Sequence, residues 1–222
     1  MANNGKSTDN NLSSSLTDLM TSLMVIFILL LVVTLNNKSR EASAKVENTL
    51  NAILNELQSD FAADGLIAEK DPKDPLGLLI LVPEKFFNFE IDKSTIPSGG
   101  IDFLQNFAPR LAMITCDERF KNEISSIVVE GHADSTGGDE YNLPLSQQRA
   151  MSVVQEILKI MRNQKESQMQ CFLDFLSASG RGNRELKYDD DGNEDQDKSR
   201  RVEFKVRVHP KEHREIIKQL GN

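Results

Sequence analysis

Between Gly131 and Ala150 the chain reads GHADSTGGDEYNLPLSQQRA, which sets an acid, Asp134, and a cation, Arg149, on either side of a glycine-rich turn. A turn of this kind, running from a strand end into a helix start, leaves backbone N–H groups open to a ligand. An Arg fork grips a carboxylate through two hydrogen bonds and an Asp accepts from an ammonium, so the pair suits a zwitterion. The same two residues would equally make an internal salt bridge that closes the turn. A second carboxylate, Asp18, is the only charge in LTDLMTSLMVIFILLLVVTL, the run from Leu16 to Leu35. An ionisable group inside so apolar a stretch is costly and points to ion binding. Ser15-Leu16-Thr17-Asp18 also has the form of a capping box, which would satisfy the first N–H groups of a helix. Asp18, Thr21, Ser22 and Val25 share one helix face, a small and partly polar stripe for a partner helix. Other chemistry finds no support. His132, His209 and His213 lie near no candidate nucleophile in sequence, so an enzyme is not expected. The stretch Asp189 to Asp197 (DDDGNEDQD) would need a ligand where Lys187 stands to be an EF-hand loop, which leaves a solvated acidic loop. Cys116 and Cys171 lack the paired spacing of a zinc site and are either one bridge or two buried thiols. Neither a metal nor a cofactor is expected.

These groups must be held by elements that the rest of the chain announces. With 222 residues and a net charge of −8, the chain allows one compact domain plus an appendage and gives no electrostatic footprint for nucleic acid. Leu16 to Leu35 is long enough to cross a hydrocarbon core of about 30 Å as a helix. It lacks the basic start and small-residue cleavage site of a signal peptide, which makes it an uncleaved membrane anchor. Lys38, Arg40 and Lys45 follow it and only Lys6 precedes it, a weak bias toward a cytoplasmic C-terminal side. From Arg40 to Asp64, Val46, Leu50, Ile53, Leu57 and Phe61 form one narrow apolar helix seam. That seam suits either a parallel dimer stalk or a helix packed on its own domain. The predicted order is a tail over 1–15, a membrane helix over 16–35, a helical stalk or plug with linker over 36–75, an α/β domain over 76–210, and a tail over 211–222. Within the domain the pattern predicts a strand at Leu78–Val82 and a second strand or bend at Phe86–Phe89. It continues with a helix over Ile101–Thr115, a strand at Ile124–Glu130 and a helix over Ser146–Met161 capped by Ser146. A strand at Phe172–Ala178 and an alternating strand at Val202–Val208 close the set. Strands alternating with helices indicate an α+β sandwich, one sheet with helices on one face.

The order GHADSTG, Asn142, LSQQRA, then SGRG at Ser179–Gly182 and RRVE at Arg200–Glu203 resembles the OmpA-like domain shared by OmpA, Pal and MotB proteins. Phe89-Glu90-Ile91-Asp92-Lys93-Ser94 resembles that family's first-strand motif, and Ala133 departs from it where Thr is usual. The resemblance implies peptidoglycan binding, with Asp134 and Arg149 holding the diaminopimelate of a stem peptide and Asn142 in the same loop. It also implies a periplasmic domain and a cytoplasmic N-terminus, single-pass in the inner membrane, against the charge bias. DLMTSLM from Asp18 is similar to the DFMTAMM of MotB-type stator subunits, which implies an ion-binding Asp18 lined by Thr21 and Ser22. A homodimer inside a five-membered ring of MotA-like polytopic subunits would follow, with a proton, or sodium, as the transported ion. The helix sequence most resembles the ZorB subunits of Zorya anti-phage defence systems, whose ring partner is ZorA. A flagellar MotB-type stator and a passive peptidoglycan tether are the alternatives.

Overall fold

The computed structural model describes residues 6–210. The expected tail over 211–222, with His213, lies outside them. The chain divides into two units at Lys45 and Val46. A helix from Lys6 to Phe61 (α1) crosses that boundary, and within the first unit it presents Leu16, Leu19, Met20, Leu23 and the following apolar residues to the outside. It is long and apolar enough to cross a membrane. Because the helix begins at Lys6, Asp18 lies well inside it, and the capping-box reading of Ser15–Asp18 falls away.

The second unit is built on a five-stranded sheet in the order β1-β2-β5-β3-β4. Its strands are β1 (Ile67–Lys70), β2 (Gly77–Leu81), β3 (Ile124–Gly131), β4 (Leu176–Gly180) and β5 (Val202–Val208). Only β3 and β4 pair in parallel. The alternation in β5 sets the two faces of the sheet: Val202, Phe204, Val206 and Val208 are buried in the core with Ile80, Ile127 and Val129. Glu203, Lys205 and Arg207 alternate with them, and the other face is polar. Helices α3 (Ser98–Thr115), α4 (Asp139–Met161) and α5 (Glu166–Phe175) give their apolar stripes to that core, with short helices α2 (Glu84–Phe87) and α6 (Gln196–Ser199) in the connections.

Several expectations shift. Leu50, Ile53, Leu57 and Phe61 are buried in the unit's own core, where Phe61 meets Phe107 at 5.0 Å between ring centres. The seam is therefore packed on the unit's own core, the second of the two readings, and the compact unit starts at Val46. Phe86 and Phe87 lie on α2 and not on a strand: both rings pack on Phe103, and Phe89 stacks on Phe87. Phe172 belongs to α5, and the strand begins only at Leu176. Helix α4 starts at Asp139, seven residues before Ser146, so Ser146 is no cap. Pro144 forfeits one N–H and the helix continues through it. Cys116, the C-cap of α3, and Cys171 on α5 form a disulfide.

Candidate functional site

Two glycines let α4 lie directly on the ends of β3 and β4. A Cβ at Gly131 would stand 2.1 Å from the Ser146 carbonyl oxygen, and one at Gly180 would stand 2.5 Å from the Gln147 nitrogen. Ser146 locks this contact, donating to the Leu143 carbonyl at 2.9 Å and accepting from Gly182 N–H at 2.8 Å. One turn further along α4, Arg149 is thereby driven under the loop that follows β3.

Arg149 is 1% exposed. Its guanidinium stacks on Phe89 and donates to the carbonyls of Lys93 (3.1 Å), His132 (3.4 Å) and Glu90 (3.3 Å). It makes no ion pair among the described residues, and burial together with the Arg200 charge lowers its pKa. A buried cation held only by carbonyl dipoles keeps its affinity for a carboxylate. The cleft it reaches has a volume of about 290 Å³ and is lined by Asp92, Asp134, Tyr141, Asn142, Arg149 and Arg200 among others.

The Asp134–Arg149 salt bridge weighed from sequence does not form. Asp134 instead takes Arg200 Nη1 at 2.5 Å on one oxygen and Thr136 N–H at 2.9 Å on the other. Burial raises its pKa, but the Arg200 and Thr136 bonds outweigh burial and hold the carboxyl below its ordinary range. Asn142 is buried and braces the loop, donating to the carbonyls of Asp134 (3.2 Å) and Gly137 (3.3 Å). The cleft thus brings together Asp134 and Arg149, singled out from the turn, and Asn142, which the family resemblance supplied, and adds two groups that neither assigned. Arg200 is one, its only sequence signal being its place in the RRVE run. Asp92 is the other: its backbone adopts a left-handed φ of 59°, and its bond with Tyr141 raises the phenol's pKa. The acidic loop is more than solvated charge. Glu194 accepts Ser135 N–H at 2.8 Å and the Ser135 hydroxyl, so it props the loop that carries Asp134.

The profile of the OmpA family matches residues 88–200, half of the chain. The chain belongs to the OmpA family. The match runs from the Phe89 motif to Arg200 and takes in the whole cleft. No curated protein matches the chain. Among solved structures it is similar to a MotB-like protein from Desulfovibrio vulgaris (18% identity, TM-score 0.49, covering 77% of this chain and 98% of that one). It is also similar to the periplasmic domain of Helicobacter pylori MotB (19%, 0.48, 70% and 87%). A third likeness is to the cell wall anchor of the T6SS from Pseudomonas aeruginosa (18%, 0.44, 71% and 97%).

Away from this OmpA-family cleft, Asp18, Thr21 and Ser22 lie exposed on α1. The Thr21 hydroxyl donates to the carbonyls of Thr17 (3.0 Å) and Asp18 (2.9 Å), which bends it back to its own helix.

Proposed function

We propose that the chain is the MotB-like, wall-binding subunit of an ion-driven motor in the inner membrane, of the ZorA–ZorB type used in anti-phage defence. The observation that carries the wall-binding half is Arg149, a buried cation without a carboxylate, facing a cleft that also holds Arg200, Asp92 and Asp134. Two cations and two acids in one small cleft fit a ligand with its own ammonium and carboxylate, such as the diaminopimelate of a peptidoglycan stem peptide. Arg149 takes the carboxylate, Asp134 and Asp92 receive the ammonium, and Asn142 keeps the loop in shape. Binding, not catalysis, is the work of this site.

The driving half rests on Asp18. A carboxylate inside an apolar helix is a default ion site, and α1 starts too early for Asp18 to serve as its cap. Thr21 and Ser22 line the ion's path, a proton or sodium. Each elementary charge crossing about 100 mV supplies roughly 2.3 kcal/mol. Two copies of α1 inside a ring of MotA-like (ZorA-type) subunits would convert that energy into rotation, with the wall holding the dimer still. The Cys116–Cys171 disulfide supports a periplasmic location, since such bridges persist in oxidising compartments. That location puts the N-terminus in the cytoplasm and overrules the weak charge bias around the helix.

Cosedimentation of the detergent-solubilised chain with purified sacculi tests the wall reading. Binding should be displaced by a diaminopimelate-containing stem peptide and not by its amide at that carboxylate. Equal displacement by both peptides would remove Arg149 from the role given to it.

A further inference from the structure

The polar face of the sheet holds a buried group of side chains that the cleft does not use. Glu130 on β3 and Glu203 on β5 are directly opposite each other, and His132 follows one residue after β3. All three are buried, His132 to 1% exposure. Two carboxylates facing each other across a ladder repel, so positive charge must be supplied. Part of it is visible: Arg201 Nε donates to Glu203 Oε1 at 2.6 Å, and Lys205 Nζ lies 2.8 Å from Glu130 Oε2. Lys187 Nζ stands at 3.8 Å from Glu203 Oε1.

The imidazole is left over. Its Nε2 lies 3.4 Å from Glu203 Oε2, and neither ring nitrogen makes a hydrogen bond among the described residues. An unpaired buried polar group costs about 1–3 kcal/mol, so two orphaned nitrogens on one ring point to something that binds there. One donor atom from each of Glu130, His132 and Glu203 lies within 4.8 Å of the others.

We propose that Glu130, His132 and Glu203 form a binding site for a divalent transition metal of the zinc class. One imidazole and two carboxylates are a nitrogen–oxygen set that zinc accepts readily. At metal–donor distances of about 2.0–2.2 Å the donors must draw together by roughly an ångström, within the reach of glutamate rotations. Metal ligands must be deprotonated to bind. Arg201, Lys205 and Lys187 oppose the ion's charge, which makes this a site of moderate affinity. The two cysteines are joined, so no thiolate competes among the described residues. The proposal stands apart from wall binding and from the motor.

Zinc chloride titrated into the metal-free, detergent-solubilised full chain, followed by calorimetry and metal counting after gel filtration, tests it. One zinc per chain is expected, retained in His209→Asn and weakened at least tenfold in His132→Gln and in Glu130→Gln. X-ray absorption of the zinc-loaded wild type should show one imidazole, otherwise oxygen, and no sulfur, a result that does not depend on any variant folding. No retained zinc would mean that water fills the place, and the proposal falls. Two or more imidazoles, or full affinity in His132→Gln, would overturn it as well.

Discussion

Asp18 and Asp134 are both acids, and the chain treats them in opposite ways. Asp134 is nearly buried, with one oxygen on Arg200 and the other on Thr136 N–H. Its charge is fixed by the protein itself, as befits a permanent binding group. Asp18 stands on an exposed stretch of helix among Leu16, Leu19, Met20 and Leu23, and makes no ion pair among the described residues. In the motor proposed above, its surroundings come from lipid and from partner helices. A carboxylate whose surroundings are supplied from outside can change its state as they move, while one locked into a folded unit cannot. On the proposed function, the folded unit holds still and the apolar helix is acted on.

The largest expected effect breaks this comparison at the helix. Asp18→Asn should abolish phage protection in non-flagellated cells carrying the gene with its genomic neighbours, at unchanged membrane level, and should leave sacculus binding intact. Protection that survives would make both acids static and turn the chain into a passive tether. If the wild type gives no protection, swimming becomes the assay and the flagellar reading takes over.

At the other acid, Asp134→Asn should weaken sacculus binding by tenfold or more, at least about 1.4 kcal/mol. Arg200→Ala separates the roles within the cleft. Loss in Arg200→Ala with binding kept in Asp134→Asn would move the ammonium to Asp92, whose left-handed backbone already sets it on the cleft wall.

How far each region could be read from sequence follows from the same contrast. The apolar run around Asp18 is legible because composition alone defines it. In the folded unit, β5 is legible at both ends because Val202 to Val208 alternate without a break, and α3 because its apolar residues keep helical spacing. Strand β1 carries no such signal, since of Ile67-Ala68-Glu69-Lys70 only Ala68 is buried. Pro144 hid the first two turns of α4, and the run at Phe172 straddles a helix end and a strand start, where short apolar stretches are ambiguous. In the cleft, the residues of the turn pointed to Asp134 and Arg149, and the OmpA-like resemblance added Asn142. Neither could show that Arg200, 66 residues away, pairs with Asp134. Nor could they show that three carbonyls hold Arg149, because backbone acceptors leave no mark on a sequence.

The division between the two regions can be sharpened by moving the cut. A fragment over 46–222 should fold as a soluble unit, whereas one over 76–222, which lacks Leu50, Leu57, Phe61 and β1, should not. Within the longer fragment, Phe61→Ala should lower stability by about 3–5 kcal/mol, read by urea denaturation. A loss under about 1 kcal/mol would return the seam to a partner helix. Replacing both Cys116 and Cys171 by Ser opens a bridge across 55 residues and should cost about 2–4 kcal/mol. Thermal unfolding with and without reductant gives the same comparison without a mutation.

The smallest effect asks whether the folded unit's fixed charge extends beyond the cleft. Glu185 accepts from Arg181 at 2.9 Å and pairs with Lys73 at 3.1 Å. Burial raises its pKa, but these two cations outweigh burial and hold it at about 2, below its ordinary 4.5. A depressed carboxyl pKa contributes stability that is fully present above the unfolded value and is lost as pH falls through the folded one. Stability from Glu185 should therefore be intact at pH 6 and should fade between about 4.5 and 2. Because both cations are partly exposed, the gap between wild type and Glu185→Gln at neutral pH should be on the order of 1 kcal/mol. Denaturation curves of the two proteins should converge as the pH is lowered through that window. A gap that does not change with pH would mean that Glu185 acts by packing alone, and that charge in the folded unit is held rigid only around Asp134.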